Sequence, residues 1–182
     1  PGHAHADTLS FELSIHQHRI FVNSGTSVYG VGPERVRQRG TEAHNTVCVR
    51  GQNSSEVWSG FRVGDRARIT VRKVTGRSGC FYARGCHYGY ARTNSGLLHS
   101  RSFKLRGSSL EIVDQLSRPI SAVARYHLHP NIESIKLTGH SGVFRTSDGD
   151  TIRFEILGAL EVVIEESTWH PKFGVSLPNR CI

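Results

Sequence analysis

The chain has 182 residues, 37% of them hydrophobic, with 19 glycines. That is the length of one domain with a sizeable core, and no apolar run approaches the roughly 18 residues of a membrane span. A formal net charge of +8, before any of the 11 histidines is protonated, gives a basic surface that steers polyanions toward it: nucleic acid, anionic membrane or acidic polysaccharide.

In chain order the hydrophobic period is overwhelmingly two. The first stretch sets the pattern, with Leu9, Phe11, Leu13 and Ile15 alternating with Thr8, Ser10, Glu12 and Ser14. Strands are predicted over residues 8–15, 19–23, 45–50, 67–74, 81–92, 97–106, 109–114, 121–129, 132–138, 142–146, 151–156 and 160–167. Turn signals punctuate them at Asn23-Ser24-Gly25, Arg50-Gly51-Gln52-Asn53, Thr75-Gly76, Arg106-Gly107-Ser108 and Ser147-Asp148-Gly149-Asp150, the Asp148-Gly149 pair being the strongest hairpin signal. Short strands with such turns predict an all-β fold, a large antiparallel β-sandwich. No amphipathic helix of three turns is present. Residues 24–44 are poor in apolar side chains and rich in glycine and arginine, and read as a long loop, a length that is uncommon without a functional reason.

The arginines Arg35, Arg37, Arg39, Arg62, Arg66, Arg68, Arg72, Arg77 and Arg84 are scattered, many at strand spacing, rather than gathered in a compact basic block. With no helix-turn-helix or RNA-binding aromatic motif beside them, they favour an acidic partner other than nucleic acid. Cys48, Cys80, Cys86 and Cys181 lack the paired spacing of a zinc knuckle; Cys80 and Cys86 could bridge a hairpin in an oxidising compartment, and single buried thiols are the simpler expectation. The chain lacks methionine, and Ser176–Ile182 read as the entrance to a further strand, so the sequence is expected to be a fragment of a longer protein.

Chemistry concentrates at the start. PGHAHAD places His3 and His5 two apart, with Asp7 behind them. On a strand both imidazoles would share one face, enough for half a metal site or for one ligand beside one acid/base group. Solvated histidines at a polar strand end are the plainer alternative. A cupin-type metal enzyme does not fit, because Glu12 lies too far beyond His5. His127 and His129 repeat the spacing without a third ligand in view and read as structural or surface residues, and His16, His18 and His170 as unremarkable.

The strings GHAHAD, LSFEL, FVNSGT, RGTEAHNTV and GQNSSEVW, followed by HSRSF, LEIVDQL, RYHLHP and PKFG, resemble the β-sandwich domain of the heparinase II/III-like family over nearly the whole chain. Members are polysaccharide lyases, or their relatives, acting on uronic-acid polymers such as heparan sulfate and alginate. In them an N-terminal helical toroid packs on a supersandwich-like β domain, with the cleft between the two. The resemblance implies that this chain, residues 1–182, is the second half only. It implies a catalytic role for His3 and a zinc site of His5, Asn23 and His44, in which Asn23 replaces the family's usual aspartate and weakens the set. Tyr29 is the local tyrosine placed to assist catalysis. Arg39 suits a substrate carboxylate or sulfate, while Asn45 and Glu56 are the remaining candidates at the cleft wall. It further implies an acidic polysaccharide substrate, the helical domain as partner, and a periplasmic or secreted bacterial location; it leaves room for a homodimer. The reading of a different class is a non-catalytic carbohydrate-binding or structural sandwich, in which the histidines only staple strands.

Overall fold

The structure is a computed structural model and describes residues 3–182. The strands are β1 (Leu13–Ile15), β2 (His18–Phe21), β3 (Val47–Val49), β4 (Val57–Trp58), β5 (Arg62–Val63), β6 (Ile69–Arg77), β7 (Cys80–His87), β8 (His99–Arg106), β9 (Ser109–Leu116), β10 (Ala122–Ala124), β11 (Ile132–Thr138), β12 (Ser141–Thr146), β13 (Thr151–Glu155), β14 (Glu165–Trp169) and β15 (Leu177–Cys181). All ladders between them are antiparallel. The largest sheet runs β6-β7-β8-β9 and a second runs β11-β12-β13; the rest are two-stranded pairs. The chain is an antiparallel β-sandwich, as its period of two predicts. Tight turns sit at glycines that require a left-handed backbone: Gly79 between β6 and β7 and Gly149 between β12 and β13, at φ 72° and 89°.

Three expectations are corrected. Residues 24–44 are not one loop: they hold helix α1 (Pro33–Arg39) and a 3-10 turn at Thr41–Ala43. Pro33 opens the helix, Glu34 sits in its first turn and Arg37 and Arg39 in its last, as the helix dipole favours. The helix carries no apolar stripe because the side chains it buries are Arg35, Gln38 and Arg39, so hydrophobic periodicity could not reveal it. The predicted strand 8–15 shrinks to Leu13–Ile15. Leu9 has φ 64°, and the Ser10 N–H donates to the Asp7 carbonyl, so the chain turns there. The alternation persists because Phe11 still packs edge-on against Phe21 and Phe103. All four cysteines are free. Cys80 and Cys86 lie on one strand, β7, and so cannot pair across a hairpin. The segment Ser176–Ile182 contains β15, which pairs with β14.

Apolar burial forms two modest clusters, one around Ile20, Leu128, Ile132 and Phe144 and the other around Val47, Val49, Tyr90 and Leu97. Much of the remaining interior is polar. On the inner face of the large sheet Arg101 is fully buried and forks onto Asp114, Nε and Nη2 donating to Oδ1 and Oδ2 at 2.8 Å each. Its Nη1 donates to the carbonyls of Leu9 and Asn45, tying the N-terminal segment and the AHNTV turn to the sheet. His99 donates to Asp114 through Nε2 at 2.7 Å and lies 3.1 Å from the His87 ring nitrogen. Because the Gly89 N–H donates to His87 Nδ1, the His87 Nε2–H must point at His99 Nδ1, which fixes both tautomers.

These buried imidazoles are expected to make the fold acid-labile. Burial, helped by His99, pushes His87 down to about 3, and burial pushes His127 down to about 4 against its hydrogen bond to the Glu42 carbonyl. Unfolded histidine titrates near 6.5, so below that pH the unfolded state binds more protons and stability falls as pH falls. Lowering the pH from 7 to about 4.5 is expected to cost about 2 kcal/mol per histidine, read as a falling Tm by circular dichroism. A Tm that holds or rises across that window would refute the assignment.

Candidate active site

The N-terminal segment reaches His3 without a strand, so His3 and His5 do not share a strand face; each is placed by its own neighbours. His3 is exposed and lies edge-on to two rings, Tyr29 at 5.6 Å and Phe61 at 5.9 Å between centroids. Tyr29 packs in turn on Phe61 and, at 4.9 Å, on Phe173. Beneath them the buried Arg35 guanidinium sits 5.3 Å from the Tyr29 ring and 5.6 Å from the Phe61 ring, near enough for cation–π attraction. Its Nε donates to the Gly60 carbonyl and its Nη1 to Thr26 Oγ1. Arg35 thereby pins the Thr26–Tyr29 stretch and the β4–β5 hairpin on either side of His3.

His5 turns inward instead. Its ring centroid lies 5.2 Å from that of His44. His44 is fully buried, and neither of its ring nitrogens has a hydrogen-bond partner. A buried polar group is normally paired, so two orphaned nitrogens on one imidazole mark a place where a further group fits. Burial, then His5 and His127, pushes His44 down to about 3; burial, then Arg35, Arg39 and His3, pushes His5 down to about 4. Both rings are therefore neutral near pH 7, the form a metal requires. Asn23 is on the adjoining segment, since the Ser24 N–H donates to the Ala43 carbonyl. Its Oδ1, however, accepts the Gly25 N–H at 3.1 Å in a local turn. Among the described residues no three His, Cys, Asp or Glu side chains gather at metal-binding distance. The structure thus brings two neutral imidazoles together, with the Asn23 amide on the adjoining segment and engaged in its own turn.

The three residues read from the sequence as substrate contacts occupy holding positions. Arg39 is fully buried, its Nε donating to the Ala4 carbonyl, Nη1 to Ser59 and Nη2 to Arg62, so that it straps the His3–His5 segment to the β4–β5 hairpin. Asn45 is also fully buried. Its Nδ2 donates to the Phe11 and Val22 carbonyls and its Oδ1 accepts the His127 N–H. Glu56 is exposed and closes the same hairpin, its Oε2 accepting the Asp65 N–H at 3.2 Å. The structure thus gathers His3 with Tyr29, and His5 with His44, while Arg39, Asn45 and Glu56 hold backbone. Sequence reasoning missed Arg35, Phe61 and Phe173. An exposed aromatic on a hairpin and a buried arginine have no periodic signature, and only the fold brings residues 3, 29, 35, 61 and 173 together. His127 is buried as expected of a structural residue, Nε2 donating to the Glu42 carbonyl at 3.0 Å.

A family model described as heparinase II/III-like, C-terminal, matches residues 1–181. The chain belongs to this family. Two solved structures share its fold. Heparan sulfate lyase HepC from Pedobacter heparinus gives a TM-score of 0.77 at 19% identity, over 98% of this chain and 28% of that one. A mutant of HepC from the same organism gives 0.75 at 18% identity over the same shares. This heparinase II/III-like chain thus spans 28% of the length of those structures. No curated protein matches it. Among the described residues, no helix is long and apolar enough to cross a membrane.

Proposed function

We propose that this chain is the β-sandwich half of a polysaccharide lyase that cleaves a uronic-acid polymer by β-elimination, with His3 entering a cleft shared with a helical domain outside these residues. The observation that carries the reading is the exposed His3 imidazole set against the Tyr29 ring at 5.6 Å, in a chain whose family is heparinase II/III-like. Membership of that family, and a basic surface suited to an acidic polymer, support it.

β-Elimination removes the proton at C5 of the uronate and breaks the C4–O bond, forming a C4=C5 double bond while the leaving glycosidic oxygen takes up a proton. The C5 proton is weakly acidic, so the neighbouring carboxylate must be neutralised while a base takes the proton and an acid protonates the leaving oxygen. His3 is assigned the base or stabiliser role, and the Tyr29 hydroxyl an assisting one. Arg35, Arg39 and Asn45 act through others: Arg35 by setting the Tyr29 and Phe61 rings, Arg39 by holding the backbone of the GHAH segment, Asn45 by joining the Phe11 and Val22 backbone to His127. Glu56 fixes the hairpin that carries Phe61. His5 and His44 would hold a zinc ion, with the Asn23 amide as a weaker third donor, and the ion would supply a cross-link between the N-terminal segment and the AHNTV turn, with no chemical step passing through it. By its family resemblance the protein is read as an exported bacterial one, periplasmic or secreted.

The protein containing this chain and its helical domain, incubated with heparan sulfate, alginate and other uronate polymers, is expected to generate the ultraviolet absorbance of unsaturated uronate ends. Binding without any such absorbance on every polymer would overturn the reading. For the metal, elemental analysis after dialysis is expected to give one zinc per chain, lost in His5→Ala and in His44→Ala and bound more tightly in Asn23→Asp. A zinc-free wild type after metal loading would remove the ion from the account.

A further inference from the structure

The outer face of the large sheet is distinct from the His3 site. Antiparallel register fixes which side chains share it, because directly paired residues point the same way. Lys73 pairs with Arg84, and Arg84 with Ser102; Tyr82 pairs with Lys104, and Lys104 with Glu111; Arg77 pairs with Cys80, and Cys80 with Arg106. One face therefore presents Lys73, Arg77, Arg84, Lys104 and Arg106. The only acidic residue that the four strands place there is Glu111, 3.4 Å from Lys104. Asp114, the other carboxylate of these strands, points to the opposite face, where it binds the buried Arg101. The N-terminal segment also packs on that inner side, through Phe11 against Phe103, so the basic face looks away from it.

Beyond the Lys104–Glu111 pair and Lys73 over the Tyr82 ring, these cations have no ion pair or side-chain hydrogen bond among the described residues. All of these cations except the partly covered Lys104 are solvent-exposed, and like charges directly opposite, such as Lys73 and Arg84, destabilise a sheet. Like-facing positions repeat about every 7 Å along a strand and about 4.8 Å between strands, so the cations form a flat grid and not a point site. An open depression of about 380 Å³ lined by Arg84, Leu98, Ser100, Gln115, Leu116 and Ser117 lies at one end of this face, where Gln115 adds an amide beside the Arg84 guanidinium.

Resting on the lyase reading above, we infer that this face is a secondary binding surface for the acidic polysaccharide, holding the polymer away from the cleft. An extended chain with regularly spaced carboxylates or sulfates matches a flat cationic grid. Single-stranded nucleic acid calls for exposed stacking rings, and the one ring in this grid, Tyr82, is only partly exposed and has Lys73 over it at 5.9 Å.

The test is binding of the purified 182-residue chain to heparin, measured by calorimetry across salt concentrations, with Lys73→Gln/Arg84→Gln and the charge-reversed Lys73→Glu/Arg84→Glu compared with wild type. The Gln pair is expected to weaken heparin binding about tenfold and to lower the slope of log affinity against log salt by about two, and the Glu pair to weaken it further. The same reversal at Lys136 and Arg153, exposed on the other sheet, is expected to change affinity by no more than about twofold, because salt screens charges outside the contact. Wild-type affinity and salt slope in the Gln pair would overturn the proposal, as would equal losses at Lys136 and Arg153, or tighter binding to a DNA oligonucleotide of matched charge. These outcomes are separate from the lyase reading, which stands or falls on unsaturated ends: a protein that cleaves uronate polymer yet binds it unaltered by the Lys73 and Arg84 changes would sink the surface and leave the lyase.

Discussion

Arg101→Met is expected to lower stability by about 3–5 kcal/mol, enough to unfold a marginal domain. The guanidinium is fully buried, and it is the group that lets Asp114 remain ionised inside the sheet. Burial alone would raise the Asp114 carboxyl, yet hydrogen bonds from His99 and Arg101 hold it down at about 2. Removing Arg101 strands that charge and also frees the Leu9 and Asn45 carbonyls that Nη1 satisfies. Asp114→Asn is expected to cost a comparable amount, because it leaves the buried Arg101 cation without its counter-charge and sets an amide NH2 against a donor on Arg101 or His99. The double change Arg101→Met/Asp114→Leu should recover part of the loss, since an apolar pair leaves no uncompensated charge. Chemical denaturation of the three variants measures this directly. With Asp114→Leu measured alone to close the cycle, additive losses in the double variant would show that the pair is not coupled.

That network also shows what the sequence reveals and what it hides. The sheets were legible because strands half-exposed to water must alternate, and glycine turns such as Asp148-Gly149 need a left-handed backbone that few other residues tolerate. Helix α1 was not legible, because it buries arginine and glutamine instead of leucine. The alternation from Leu9 to Ile15 was real, yet only its last three residues found a ladder partner. Alternation reports which side faces the core and says nothing of whether a neighbouring strand is there. Buried Arg35, Arg39 and Arg101 look in the sequence like the exposed Arg72 or Arg77. Only the carbonyls of Gly60, Ser59 and Asn45, all distant in the chain, distinguish them. Within the candidate site, the nearness of His5 to His44 followed from the resemblance of GHAHAD and AHNTV to a known family. The packing of Phe61 and Phe173 around Tyr29 had no sequence signal at all.

The largest effect on activity is expected at His3. In the longer protein of the lyase reading, His3→Ala should lower kcat about a thousandfold, the scale on which a positioned acid/base group contributes, with KM for the polymer little changed. His3 is exposed and contacts Tyr29 and Phe61 only through ring edges, so its removal should shift stability by no more than about 0.5 kcal/mol. That combination separates a chemical role from a structural one, because a residue that merely shaped the cleft would move Tm or KM with kcat. Tyr29→Phe refines the test. It keeps the ring that packs on Phe61 and Phe173 and removes only the hydroxyl, so a fall in kcat at constant Tm assigns the hydroxyl to proton transfer, whereas an unchanged kcat leaves Tyr29 as a wall. Full turnover by His3→Ala, measured as unsaturated ends formed per unit time, would return the histidine pair to the alternative in which it serves only to hold the N-terminal segment in place.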